Sequence, residues 1–108
     1  MTGTKTTTLN GESGITYYFD LTPWGRPFPP VGAVYTVLNR NPILGSYTVL
    51  YIGQTSNLNV RFNHHYGQDC FDRPHKTHVG IHVEPSEAAR RQKVSDLIGN
   101  YKPVCNEY

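Results

Sequence analysis

Cysteine is scarce in this chain of 108 residues, which has only Cys70 and Cys105. Neither forms a Cys-x-x-Cys pair, and none of the five histidines joins them at a recognised metal-ligand spacing, so the pattern does not favour a zinc site. Two cysteines are also too few for the disulfide framework of a small secreted domain. We therefore expect a reduced pair, as in cytoplasmic proteins.

The sequence also lacks long apolar runs and blocks of charge. No run approaches the roughly 20 apolar residues that span a membrane, and the first residues lack the apolar centre of a signal peptide. Lys and Arg number 10 and Asp and Glu 8, and the basic residues are spread along the chain. This balance permits a polyanionic partner without indicating one by itself. We expect one small cytoplasmic domain that does not contact membranes.

The N-terminal third lacks an obvious helix. Residues 1–14 are rich in Thr, Gly and Ser, and we expect a poorly ordered tail. Residues 15–31 form an extended wrap, which starts with a short strand or edge segment and continues with four prolines around Trp24 and Phe28. These aromatic rings are expected to cover a gap in the core. The alternative is that Trp24 or Tyr17 stacks on a nucleic-acid base.

The middle of the chain predicts two strands and a helix. Residues 33–38 and 47–52 are rich in Val, Tyr and Thr, which suit a half-buried strand, and the Asn, Pro and Gly between them suit a hairpin. Ser56 is a candidate N-cap. After it, apolar and basic residues recur at helical spacing and share one helix face: Leu58, Arg61, Phe62 and His65.

The last third predicts one further strand and one helix. Residues 77–83 alternate between polar and apolar, and Ser86 begins a helix that runs to about Asn100, before Lys102 and Pro103. The order of elements predicts an α/β domain over 32–108, a small sandwich with a central three-stranded sheet flanked by helices. The Pro-rich aromatic wrap would be its N-terminal extension.

Four short blocks follow one another in this part of the chain. The first is Ala33-Val34-Tyr35 after Gly32, and the second is Tyr51-Ile52-Gly53. The third consists of Thr55, Leu58, Arg61 and His65, and the fourth of Leu97, Ile98, Tyr101, Pro103 and Asn106. In this order they resemble the two half-motifs, the helix pattern and the C-terminal signature of the GIY-YIG nuclease family.

The resemblance implies metal-dependent hydrolysis of phosphodiester bonds in DNA, in preference to RNA, by an endonuclease site. Tyr35 would act as base or orient the attacking water, and Tyr51 would lie close to the phosphate. Arg61 would stabilise the developing charge, His65 would carry a proton or donate a hydrogen bond, and Asn106 would support the site. Further contacts to the nucleic acid would come from Gly53, Gln54, Thr55 and His64. A second copy of the chain or a partner protein could join it.

Each candidate also has a structural explanation. The tyrosines could be ordinary strand residues, Arg61 a solvated helix residue, and His65 a group at a helix C-terminus. Only their joint occurrence with the other blocks favours the functional interpretation.

The metal ligand departs from the family pattern. The resemblance implies Mg²⁺ or Mn²⁺ and no organic cofactor, yet the position of the family's glutamate is occupied by Val94, which has no oxygen ligand to offer. Either another residue supplies the carboxylate, or the chain is a catalytically silent nucleic-acid-binding module. If Val94 alone breaks the site, Val94→Glu should restore or strengthen cleavage. A more distant alternative is a protein adaptor that uses residues 24–30.

Overall fold

The fold is built mainly from antiparallel strands. The computed structural model describes residues 5–25, 27–63, 70 and 76–106, and only the backbone of 61–63. Within these residues there are five strands, two α-helices and a 3₁₀ helix, in the chain order β1 (Lys5–Asn10), β2 (Thr16–Pro23), β3 (Ala33–Arg40), β4 (Tyr47–Thr55), α1 (Leu58–Asn63), β5 (His78–Val83), α2 (Glu87–Tyr101) and the 3₁₀ helix (Val104–Asn106).

The predicted three-stranded sheet flanked by helices is wrong, because the sheet has five strands in the order β1-β2-β5-β3-β4. All neighbouring pairs are antiparallel. The three predicted strands are β3, β4 and β5, and the additional two come from segments interpreted as tail and wrap. β2 buries alternate residues, and β1 pairs along its whole length with β2. β2 also pairs with β5 on its other side, so it is an interior strand with one buried face.

Different segments of the chain pack against the two faces of the sheet. On one face, which we call the helix face, Phe19, Val34 and Ile52 pack in one buried cluster with Leu97 of α2. On the other, which we call the tyrosine face, the buried cluster consists of Tyr35, Val79 and Leu58, with Trp24 and Phe28 packed against it. The prediction that Trp24 and Phe28 cover the core is confirmed.

The helix ends follow capping rules. Ser86 accepts a hydrogen bond from the amide of Ala89 (3.2 Å) and caps α2 as predicted. For α1 the predicted cap is wrong: Asn57, not Ser56, accepts from the amide of Val60 (3.3 Å). In the described part of the chain, no helix combines the length and apolar character needed to cross a membrane.

The two cysteines are bonded to each other, which corrects the expected reduced pair. Cys70 and Cys105 have Cα atoms 5.8 Å apart and lie 35 residues apart in sequence. Cys105 is buried and belongs to a cluster with Val37 and Leu50. The disulfide therefore ties the segment before β5 to the 3₁₀ helix beside β4.

A polar contact fastens the turn between β1 and β2 to α2. The Asp96 carboxylate accepts hydrogen bonds from the Ser13 amide (2.8 Å), the Ser13 hydroxyl (2.6 Å) and the Tyr17 hydroxyl (2.7 Å). The bonds from Ser13 and Tyr17 hold the pKa of Asp96 below its usual range. Burial, followed by the hydrogen bond to Asp96 and its charge, raises the pKa of Tyr17 to about 12.

We predict that Asp96→Asn lowers the pKa of Tyr17 but leaves it above 10, because burial persists when the charge is removed. In the unchanged protein, stability from Asp96 is present above its ordinary pKa and is lost as pH falls through the depressed value. Stability from neutral Tyr17 is present below pH 10 and is lost as pH rises to about 12. Titration of phenolate absorbance measures the shift. Tyr17→Phe should remove this late step, whereas Tyr18→Phe should leave it in place.

Candidate functional site

The two half-motifs lie side by side in the sheet. In the pairing of β3 with β4, Tyr35 stands opposite Gly53, and Tyr51 stands opposite Val37. Residues two apart in a strand point to the same face, so both tyrosines lie on the tyrosine face. Their ring centroids are 6.0 Å apart and the ring planes differ by 30°. The structure therefore brings together two of the predicted site residues.

Gly53 makes room for both tyrosine rings. A Cβ atom at this position would lie 2.7 Å from Cε2 of Tyr51 and 2.8 Å from the hydroxyl oxygen of Tyr35. Tyr35 is fully buried (0 % exposed), whereas Tyr51 is only half-buried. In this conformation Tyr51 is therefore the phenol that a phosphate could approach, and Tyr35 packs beneath it.

We predict that Gly53→Ala lowers the free energy of unfolding by about 1 to 3 kcal/mol, because the added methyl group displaces two packed rings. Urea denaturation measures the loss. Ser56→Ala is a suitable control, since Ser56 is exposed and lies three residues away. An alanine at Gly53 as stable as the unchanged protein would mean that the rings do not pack as described.

Asn106 supports β4 from its outer edge. Its side-chain amide accepts a hydrogen bond from the Ile52 amide (2.8 Å) and donates one to the Ile52 carbonyl (2.8 Å). β4 is an edge strand, so this amide satisfies backbone groups that no neighbouring strand pairs. Ile52 lies between Tyr51 and Gly53 in the chain, so Asn106 fixes the second half-motif through its backbone.

Gln54 and Thr55 make structural contacts. The side chain of Gln54 lies on the helix face, where its oxygen accepts a hydrogen bond from Nε of Arg90 (2.9 Å). The hydroxyl of Thr55 accepts from the amide of Asn57 (3.1 Å) and shapes the turn into α1. Contact of these two side chains with nucleic acid remains a prediction.

The basic members of the predicted site are described only in part. Arg61 lies in α1, which begins over the tyrosine face, because its first residue, Leu58, packs in the cluster of Tyr35. The side chain of Arg61 lies outside the described atoms, and His64 and His65 lie outside the described residues. Their position relative to Tyr51 stays a prediction.

Val94 lies on the other side of the sheet from the tyrosines. It packs against the cluster on the helix face, one turn of α2 before the buried Leu97. A carboxylate at this position would enter an apolar layer and not the tyrosine face. Val94→Glu is therefore expected to destabilise the fold and not to restore cleavage.

The described residues do not fit a magnesium site at the tyrosines. No group of three His, Cys, Asp or Glu side chains within these residues could hold a metal ion. Asp20 shares the tyrosine face, but it pairs with Ile81, which pairs with Tyr35. Two strand spacings separate Asp20 from Tyr35 by roughly 10 Å. Any carboxylate ligand at the tyrosines must therefore come from outside the described residues.

Two cations with specific contacts, Lys76 and Arg90, were not singled out from the sequence. The ammonium of Lys76 lies 4.8 Å from the centroid of the Trp24 ring, and no motif marked it. Arg90 is buried (3 % exposed). The sequence pattern could have marked Arg90, because it lies four residues before Val94 in the apolar stripe of α2, where an arginine is unusual.

Comparisons with known proteins add no family assignment, since no family model, curated protein or solved structure matches this chain.

Proposed function

We propose that this chain acts on DNA as an endonuclease of the GIY-YIG type. The observation that carries the proposal is the register of β3 and β4, which places Tyr35 opposite Gly53 and beside Tyr51. Sequence motifs separated by a hairpin thus contribute to one small patch, and α1, which carries Arg61, begins over the same face.

The chemistry expected of the patch is hydrolysis of a phosphodiester. Tyr51, the more exposed phenol, would contact the phosphate or the water beside it. The planar guanidinium of Arg61 would stabilise developing negative charge, and His65 would carry a proton. When bound, Mg²⁺ or Mn²⁺ would neutralise phosphate charge. Three carboxylates outside the described residues are candidates to hold it: Asp69, Asp72 and Glu107.

A second candidate is a nucleic-acid-binding module of this type that does not cleave. The observation that favours it is the position of Val94 on the helix face, together with the poor fit of the described residues to a metal. Binding through phosphate contacts needs the cations but no carboxylate.

Incubation with supercoiled plasmid separates the two candidates. The endonuclease predicts nicking with Mg²⁺ or Mn²⁺ that a chelator stops and that Asp69→Asn, Asp72→Asn or Glu107→Gln reduces. Binding without nicking, with an affinity that falls steeply as salt rises, would favour the second candidate. If the protein neither binds nor nicks DNA, both candidates are contradicted. The remaining alternative is then the protein adaptor that uses residues 24–30.

The compartment and assembly state are also proposals. The sequence favours the cytoplasm, but the Cys70–Cys105 bond weighs against it, because disulfides persist mainly in oxidising environments. Alkylation of free thiols in freshly lysed cells tests this point. Alkylation of both cysteines would support a cytoplasmic location. If neither cysteine is alkylated, the result would support an oxidising compartment. Sedimentation with and without DNA tests for a second copy.

A further inference from the structure

Arg90 is a buried cation with no carboxylate partner among the described residues. It lies in the first turn of α2 and is 3 % exposed. The ion pairs that the described residues form are Arg91 with Glu87 and Lys93 with Glu84. Arg90 instead donates to neutral oxygens: to the Gln54 side chain from Nε (2.9 Å), and from Nη1 to the carbonyls of Glu84 (3.0 Å) and Pro85 (2.8 Å). Burying a guanidinium costs free energy, because the charged group loses its contacts with water. These hydrogen bonds offset that cost.

The bonds of Arg90 join three segments at one end of the sheet. Ala33 pairs with both Thr55 and Val83, so the start of β3 and the ends of β4 and β5 meet there. Arg90 reaches Gln54 at the end of β4 and the turn between β5 and α2. It also lies against Gly32, where a Cβ atom would be 2.6 Å from Nη1.

The start of α1 is hydrogen-bonded to the chain at this same end of the sheet. The amide of Leu58 donates to the carbonyl of Val31 (3.0 Å), next to Gly32. Gln54 directly follows Gly53, the residue that accommodates both tyrosine rings. Displacement of the end of β4 would therefore move both the tyrosine patch and the first turn of α1. Arg90 itself lies on the helix face and does not contact the tyrosines.

We propose that Arg90 is a positioning residue for the candidate site. It holds the end of β4 through Gln54 and the start of β3 through Gly32, and so fixes the distance between Tyr51 and the helix that carries Arg61. This inference rests on the proposed function for its effect on catalysis, since small misplacements of reacting groups slow reactions by up to roughly 100-fold.

The test compares Arg90→Met with Arg91→Met, which removes one charge from the neighbouring, exposed position. In plasmid nicking, Arg90→Met should lower kcat by about 10-fold or more with KM little changed, and Arg91→Met should change neither. In two-dimensional NMR spectra, Arg90→Met should shift the amide signals of Gly53, Thr55 and Leu58, and Arg91→Met should leave them in place. Arg90→Lys, which keeps the charge, should recover part of kcat.

Gln54→Leu keeps the test decisive if Arg90→Met does not fold. It removes only the bond to β4, and it should reproduce the shift of the Leu58 amide, which is the informative signal here because Gly53 and Thr55 adjoin residue 54 in the chain. A change in melting temperature alone, with kcat and these amide signals unchanged, would overturn the positioning role. If the unchanged protein does not nick DNA, the endonuclease proposal fails, and the amide signals still decide whether Arg90 positions β4 and α1.

Discussion

Replacing Cys105 by serine is expected to lower the free energy of unfolding substantially. The bond closes a loop between residues 35 apart. By the chain-entropy relation, losing a bond of that span costs about 4 kcal/mol. The change also puts a hydroxyl into the cluster that Cys105 forms with Val37 and Leu50. Denaturation in urea under non-reducing conditions measures the loss.

Three comparisons make this result specific to the disulfide. Cys70→Ser should lower stability by a similar amount, the double variant should lose little more than Cys105→Ser, and a strong reductant should bring the unchanged protein close to the variants. If Cys105→Ser is as stable as the unchanged protein in non-reducing buffer, the pair is not bonded in solution. The cysteines would then be reduced, as the sequence pattern predicts.

Replacing Arg61 by alanine is expected to reduce plasmid nicking by about 100-fold or more, because removal of one group that stabilises transition-state charge has effects of this size. The resemblance to the nuclease family suggests the role of Arg61. The structure supports it in one respect: α1, the helix that carries Arg61, starts beside Tyr35. The initial rate of nicking, measured at saturating plasmid, gives the comparison.

Arg91→Ala is the matched control for charge. Arg91 lies in α2 and forms an exposed pair with Glu87 (3.0 Å), which contributes little to stability. It removes the same charge without touching the tyrosine face. If both variants lose activity equally, general attraction to DNA explains the effect and the proposed role of Arg61 is wrong.

Local patterns in the sequence predicted the central strands and α2 well. Residues 33–38 and 47–52 fall in strands, and the strand predicted at 77–83 is β5 (His78–Val83), because the β-branched and aromatic residues of these segments have one side to bury. The strand β1 was missed because its sequence, KTTTLN, offers a single buried apolar side chain, Leu9. Its Thr and Asn composition is shared by disordered tails, and only pairing with β2 distinguishes the two.

Contacts between distant segments were not accessible from the sequence. The spacing of Cys70 and Cys105 gave no sign that their Cα atoms lie 5.8 Å apart. Helical periodicity placed Val94 on the buried stripe of α2 correctly, but it could not say which face of the sheet that stripe covers. The hairpin of β3 and β4 was predicted, but the juxtaposition of Tyr35 with Gly53 also depends on the shift in register between Val37 and Leu38, which no sequence pattern marked.

The central claim is that nucleic acid binds at the tyrosine face, and NMR titration with a short DNA duplex in the absence of divalent metal tests it most directly. The account predicts that the ring signals of Tyr51 and the amide signals of Gly53 and Leu58 shift with added DNA. The signals of Tyr17 and Asp96, on the opposite side of the sheet, should stay in place. Shifts confined to the opposite side, or no shifts at all, would contradict the account.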